Sequence, residues 1–174
     1  YIDLDVKPSF IEGTLKSVNF PEYEYEGTVY KQVKITLEDI TDRCVLSMGF
    51  SSMAINILNS LAGCTEQINT VKISVYMNKK GFPSVSVTIN GEKSQWKWDY
   101  KKDMQTKVEV ITNKKGEVVS TDKTELIDYL IKYFTAEEFQ NKIANKRVEV
   151  EDHTADMSRF ADTKGLDDPD DLPF

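Results

Sequence analysis

The chain has 174 residues, 40% of them hydrophobic and 29% charged, a composition typical of a globular protein with its own core. No apolar run approaches the roughly 20 residues that a membrane helix needs, so we expect no membrane span. The sequence shows no basic-then-apolar leader, so nothing in it points to secretion, and a processed or trimmed start stays open because Tyr1 is not a methionine. Two cysteines, Cys44 and Cys64, and the single His153 are too few for a disulfide framework or a zinc site.

The net charge of −7 is distributed unevenly along the chain. Residues 149–174 hold nine acids and two bases, and residues 1–70 hold ten acids and five bases. Residues 71–115, in contrast, hold ten lysines and four acids. Because local potential rather than net charge decides whether a polyanion binds, the basic middle of the chain is the candidate nucleic-acid interface.

The first half of the chain predicts three strands and a helix. Apolar residues alternate with polar ones over residues 10–20, 28–37 and 43–50. An acidic segment with two tyrosines joins the first two strands and is expected to be a hairpin connection. Ser51 or Ser52 is expected to cap a helix that carries an apolar stripe.

The middle of the chain predicts two more strands, over residues 70–77 and 83–89, joined by a turn at 78–81. Residues 94–100 alternate three aromatic rings with polar residues, which predicts a further strand. A second Lys-Lys-Gly turn lies between two short strands within residues 107–120.

Two capping boxes predict helices near the end of the chain. Asp122 with Glu125 is expected to open the first, and Thr135 with Glu138 the second. Beyond residue 147 the periodicity stops, and the charged remainder is not expected to fold alone.

The element order of three strands, one helix and a hairpin is that of an OB-fold. We therefore predict a mainly β protein: a five-stranded OB-fold barrel with an inserted helix, followed by C-terminal helices and a flexible acidic tail. The corresponding units are an OB-fold domain over residues 1–120, a helical segment over 121–147 and an acidic tail over 148–174.

Aromatic residues interleave with the lysines of the basic segment. Rings stack on exposed bases and lysines follow phosphates, as single-stranded nucleic acid requires. The predicted contact residues are Lys34, Tyr76, Lys79, Lys80, Phe82, Trp96, Lys97, Trp98 and Tyr100. On a strand, the rings at positions 96, 98 and 100 would share one face. Two alternatives stay open: both tryptophans belong to the core, or the first Lys-Lys turn is merely a solvated hairpin tip.

The last residues of the sequence read Asp170-Asp171-Leu172-Pro173-Phe174. This segment resembles the acidic tip of bacterial-type single-stranded DNA-binding proteins, and the whole chain resembles a phage-encoded member of that family. The resemblance implies a cytoplasmic protein, in a bacterium or a phage-infected host, that coats and protects single-stranded DNA during replication, recombination and repair. It also implies that replication and repair proteins bind the tip residues Asp167, Asp168, Asp170, Asp171, Leu172, Pro173 and Phe174, through apolar anchors and steering charges.

Competing functions are weaker but remain open. The first is a protein-interaction or inhibitory OB module whose acidic segments mimic DNA, and the second is a metal-dependent nuclease. We assign no catalytic residue, cofactor or metal, because the lone histidine lies in the tail and no Gly-rich phosphate loop occurs. A homodimer through the exposed part of the helical segment is also left open.

Overall fold

A seven-stranded antiparallel sheet dominates the computed structural model, which describes residues 9–143. Its strands in chain order are β1 (Ser9–Asn19), β2 (Glu22–Tyr25), β3 (Thr28–Glu38), β4 (Arg43–Gly49), β5 (Thr70–Met77), β6 (Pro83–Ile89) and β7 (Glu92–Lys93). A separate two-stranded sheet consists of β8 (Glu109–Thr112) and β9 (Val118–Asp122). The α-helices of this region are α1 (Ser52–Gly63), α2 (Thr124–Thr135) and α3 (Glu137–Gln140). The prediction of a mainly β protein with helices after the strands is therefore confirmed.

The sheet does not close into the predicted barrel. Its order is β2-β3-β1-β5-β6-β7, with β4 paired to β3 on the edge opposite β1 and β2. Closure would require hydrogen bonds between β4 and β6. Within the described residues β4 pairs with β3 alone, and β6 pairs with β5 and β7.

Strand β1 bends the sheet by changing partners halfway along its length. Its first half, from Ser9 to Thr14, pairs with β5, and its second half pairs with β3. A bulge between Leu15 and Ser17 marks the change, and such bulges increase the bend and twist of a strand. Gly13 lies at this crossing, where a Cβ atom would come within 3.0 Å of the Glu38 carbonyl oxygen.

The acidic connection between the first two predicted strands is itself a strand, β2. It continues the register of β1 along β3: Asn19 lies opposite Lys34, and Glu22 lies opposite Lys31. A tight turn with positive φ values at Glu26 and Gly27 closes this long hairpin, as hairpin twist requires. All residues from Glu22 to Tyr30 are exposed, because the hairpin extends beyond the core.

One core joins the inner face of the sheet to the helices. The Ser51 hydroxyl accepts a hydrogen bond from the Ala54 amide and caps α1, as predicted. The helix α2 adds Leu126, Leu130 and Phe134 to the same core, and each such side chain stabilises the fold by about 1.5–3 kcal/mol. The helical segment therefore belongs to the same core over residues 124–143.

Neither predicted capping box forms. The Asp122 carboxylate accepts hydrogen bonds from the Thr124 amide and hydroxyl at 2.8 and 2.6 Å, so α2 begins one residue later than a box would require. The Thr135 hydroxyl donates to the Ile131 carbonyl within α2 rather than capping α3. Both side chains form hydrogen bonds with backbone groups two to four residues away, as short polar side chains often do.

Candidate nucleic-acid interface

The outer face of the sheet, which points away from the core, is lined by polar and aromatic side chains. Residues 33, 35 and 37 of β3 point inward, so the alternate residue Lys34 points outward. It lies between Asn19 of β1 and Ser47 of β4, and it is exposed, which a phosphate contact requires.

The turn between β5 and β6 forms one end of the outer face. The Asn78 side-chain oxygen accepts the amides of Lys80 and Phe82 at 2.9 and 3.1 Å, and Gly81 takes a φ of +75°. This geometry leaves Lys79 and Lys80 at the tip and Phe82 64% exposed. Beside it, the Tyr76 ring is 40% exposed. These four predicted residues, Tyr76, Lys79, Lys80 and Phe82, are brought together, and we call them the turn cluster.

Strand β1 contributes a ring that sequence reasoning missed. Phe10 lies opposite Ser74 of β5 and is 57% exposed on the outer face. The Lys72 ammonium lies 3.8 Å from the centre of this ring and 3.0 Å from the Glu12 carboxylate. The available signal was alternation, because Ile11 points inward and its neighbour Phe10 must therefore point outward.

The hairpin of β2 and β3 contributes three further rings that were not predicted as contacts. The rings of Tyr23 and Tyr30 stack with centroids 5.4 Å apart, and Tyr25 is exposed beside the turn. Tyr30 shares its side of β3 with Lys34, since the two are four residues apart. The hairpin therefore continues the outer face at the end opposite the turn cluster.

The glutamates of this hairpin alternate with its tyrosines, so they point to the opposite face of the hairpin, towards α2. Glu22 lies opposite Lys31, whose ammonium is 2.9 Å from the Asp128 carboxylate of α2. The hydrogen bond to Asp128 raises the pKa of Lys31 and links the hairpin to the helix. Among residues 9–143, no group of three or more acids, cysteines or histidines is placed to hold a metal ion.

The predicted strand over residues 94–100 does not form, and the predicted shared face of its rings is wrong. Residues 94–99 are irregular, and a short π-helix follows at Tyr100–Met104. Trp98 is only 7% exposed and packs edge-on against Tyr129 and Tyr133 of α2, at 5.5 and 4.9 Å between centroids. It is a core residue, so its faces are not available to a base.

Trp96, Lys97 and Tyr100 remain exposed, and we call them the tryptophan cluster. The Trp96 ring is 55% exposed and the Tyr100 ring 47%. The Lys97 ammonium lies 5.0 Å from the centre of the Tyr133 ring. The open alternative that both tryptophans are core is therefore resolved differently for each: Trp98 is core and Trp96 is on the surface.

The tryptophan cluster lies on the helices, away from the turn cluster. The Ser94 amide donates a hydrogen bond to the Val87 carbonyl. Val87 is four residues after Pro83, the first residue of β6, and therefore lies about 13 Å from it along the strand. The chain then crosses closely over α1, where a Cβ on Gly63 would overlap the Gln95 carbonyl. The structure thus divides the predicted basic aromatic segment into two separate clusters.

Several further observations bear on the other predictions. Cys44 and Cys64 are free and half-buried. None of the helices between residues 9 and 143 has the length and apolar character needed to cross a membrane. The predicted partner-binding residues, from Asp167 to Phe174, lie outside the described residues. No family model matches the chain, and neither a curated protein nor a solved structure matches it.

Proposed function

We propose that this protein is a non-catalytic single-stranded DNA-binding protein that holds the strand on the outer face of its sheet. The observation that carries the proposal is the concentration of exposed rings beside lysines on that face. Isolated exposed rings are ordinary, but here Phe10, Tyr76 and Phe82 lie close to lysines at one end of the face. Three more exposed rings, Tyr23, Tyr25 and Tyr30, lie on the hairpin of β2 and β3 at the other end. Stacking on such rings contributes about 1–3 kcal/mol per base and tolerates any base sequence.

The strand pairing supports an OB-fold, in a form with an open barrel. The order β1, β3, β4, α1, β5, β6 and the shared pairing of β1 with β3 and β5 are those of that fold. OB-folds bind oligonucleotides over the second and third strands, between the first and last hairpin loops. Here the second and third strands correspond to β3, which carries Lys34, and β4. The first hairpin loop corresponds to the hairpin of β2 and β3, and the last one to the turn cluster.

Recruitment of partners is the second part of the proposed function, and it rests on the sequence of the acidic segment. Residues 167–174 combine four aspartates with Leu172 and Phe174, which suits a basic-rimmed apolar pocket on a replication or repair protein. The variant Phe174→Ala retains every charge and removes the main anchor. We expect it to bind DNA normally and to lose capture of replication proteins from a lysate of the host.

The decisive experiment measures affinity for a labelled oligo(dT) and for the matching duplex. We expect clear preference for the single strand, and a loss of roughly fivefold or more for Tyr76→Ala and for Phe82→Ala, since each ring contributes about 1–3 kcal/mol. The matched control is Ile40→Ala, which removes a fully exposed apolar side chain from the loop between β3 and β4. Equal affinity for duplex, or no effect of either ring, would refute the proposal.

A further inference from the structure

The hairpin formed by β8 and β9, which we call the arm (residues 109–122), stands apart from the main sheet. Its strands pair with each other and, within the described residues, with no other strand. Every residue of both strands is exposed, including Val110, Ile111, Val118 and Val119, at 46% to 65%. An isolated two-stranded hairpin is only marginally stable in water, so an arm with bare apolar residues on it is suited to an interface.

The tip of the arm is a tight turn that carries two lysines. The Asn113 side-chain oxygen accepts the amides of Lys115 and Glu117 at 2.8 and 3.0 Å, and Gly116 takes a φ of +80°. Lys114 and Lys115 are both exposed there. The tip thus presents two adjacent positive charges about 15 Å from the base of the arm, given four or five residues per strand.

The base of the arm is acidic. A cleft between the arm and α2 is lined by Lys107 and by four carboxylates, those of Glu109, Asp122, Glu125 and Asp128. Lys107 lies 3.7 Å from Glu125 and Lys31 lies 2.9 Å from Asp128, so these two lysines offset part of the charge of the four carboxylates. Glu109 and Asp122 are directly opposite each other in the hairpin, where like charges repel in the absence of a cation.

We propose that two copies of this chain associate through their arms, aligned antiparallel, with the lysine tip of each in the acidic cleft of the other. An antiparallel arrangement about a two-fold axis satisfies both ends at once, because each arm has the same length from tip to base. It also brings together the apolar side chains on one face of each arm and removes that face from water; Val110 and Ile111 lie on opposite faces, because they are consecutive residues of β8. The occupant is identified by this charge complementarity, and the inference does not depend on what the outer face binds.

Sedimentation equilibrium of the full chain tests the proposal with a charge-reversal set. The wild type should show a concentration-dependent monomer–dimer equilibrium. Both Lys114→Glu/Lys115→Glu and Glu109→Lys/Glu125→Lys should raise the dimer dissociation constant at least about tenfold, because like charges would meet at both ends. An equimolar mixture of these two variants should dimerise again, since each tip then meets a cleft of opposite charge.

The control is Lys79→Glu/Lys80→Glu, which makes the same change in the equivalent turn of the main sheet and should leave dimerisation unchanged. Circular dichroism verifies that each variant is folded. A wild type that stays monomeric at all concentrations would overturn the proposal, as would a mixture that fails to dimerise. Equal loss of dimer in the control would overturn it as well, by showing that the tip of the arm is not special.

Discussion

Asn59 and Trp98 are joined by two hydrogen bonds across 39 residues of sequence. The Trp98 amide donates to the Asn59 side-chain oxygen, and the Asn59 side-chain nitrogen donates to the Trp98 carbonyl, both at 2.9 Å. The Lys97 amide also donates to the Asn59 carbonyl at 3.3 Å. One buried amide on α1 therefore fixes an irregular segment that has no strand partner, and so determines which tryptophan enters the core.

Removing this amide should destabilise the protein. Asn59→Ala leaves the buried amide and carbonyl of Trp98 without partners, which costs about 1–3 kcal/mol for each unsatisfied group. We expect a lower denaturant midpoint in urea unfolding followed by tryptophan fluorescence. The control Asn141→Ala, at an exposed position, should stay within about 0.5 kcal/mol of wild type. A stable Asn59→Ala variant would show that the two bonds do not fix the segment.

The two tryptophans should separate DNA binding from stability. Trp98→Ala empties a core site and should lower the free energy of unfolding by about 3–5 kcal/mol. Trp96→Ala should leave stability almost unchanged, and it should weaken oligo(dT) binding by about 1–3 kcal/mol if the strand reaches the tryptophan cluster. Urea unfolding and anisotropy titration on both variants make the comparison. Normal binding by Trp96→Ala would restrict the interface to the outer face.

Most strands of the sheet could be predicted from the sequence because apolar and polar residues alternate simply along them. The bounds of β5 and β6 agree with the prediction at every end, and the turn between them is where Asn78 and Gly81 placed it. The start of α1 was equally predictable, because Ser51 caps it locally. These features depend on residues close in sequence, which is the information that pattern reading uses.

The predictions that are wrong depend on contacts between residues far apart in the sequence, which local patterns do not show. The alternation of rings at Trp96, Trp98 and Tyr100 imitates a strand. Asn59 instead binds the backbone of Trp98, and α2 packs against its ring, while the other two rings stay exposed. Alternation with Ile11 indicated that Phe10 points outward, but its place beside Lys72 depends on the pairing of β1 with β5, which local patterns do not give. The open edge between β4 and β6 is likewise a property of the whole sheet.

The lysines of the turn cluster should determine part of the salt dependence of binding. Each phosphate neutralised on a single strand contributes a slope of about −0.7 to log affinity against log salt. Lys79→Ala/Lys80→Ala should therefore make the slope shallower by about 1.4 units if both lysines contact phosphates. Lys114→Ala/Lys115→Ala, in the equivalent turn of the arm, is the matched control at protein concentrations where both variants are monomeric. An unchanged slope in the first variant would remove its lysines from the interface.

The Asp122 carboxylate should make the start of α2 sensitive to acid. Hydrogen bonds from the Thr124 hydroxyl and amide lower the pKa of Asp122 below its usual 3.8, so the folded state favours the charged form. Its contribution to stability is therefore complete above the unfolded pKa and is lost as the pH falls through the folded one. Asp122→Ala should lower the urea midpoint at pH 7, and the difference from wild type should shrink below about pH 4. A difference independent of pH would assign the effect to packing instead.

The acidic residues near the end of the sequence should compete with DNA for the basic clusters. Residues 149–174 carry nine acids and two bases, and a segment tethered to its target can reach an effective concentration in the millimolar range. A chain that lacks Asp167 to Phe174 should therefore bind a short oligonucleotide more tightly at low salt, and the gain should shrink as salt screens the charges. Replacing the four aspartates of that stretch by asparagine retains its length and its phenylalanine, and it should reproduce the gain if charge is the cause. Phe174→Ala should leave DNA affinity at the wild-type value. Should truncation leave low-salt affinity unchanged, the acidic segment does not occupy the DNA site, and its remaining role is the capture of partner proteins.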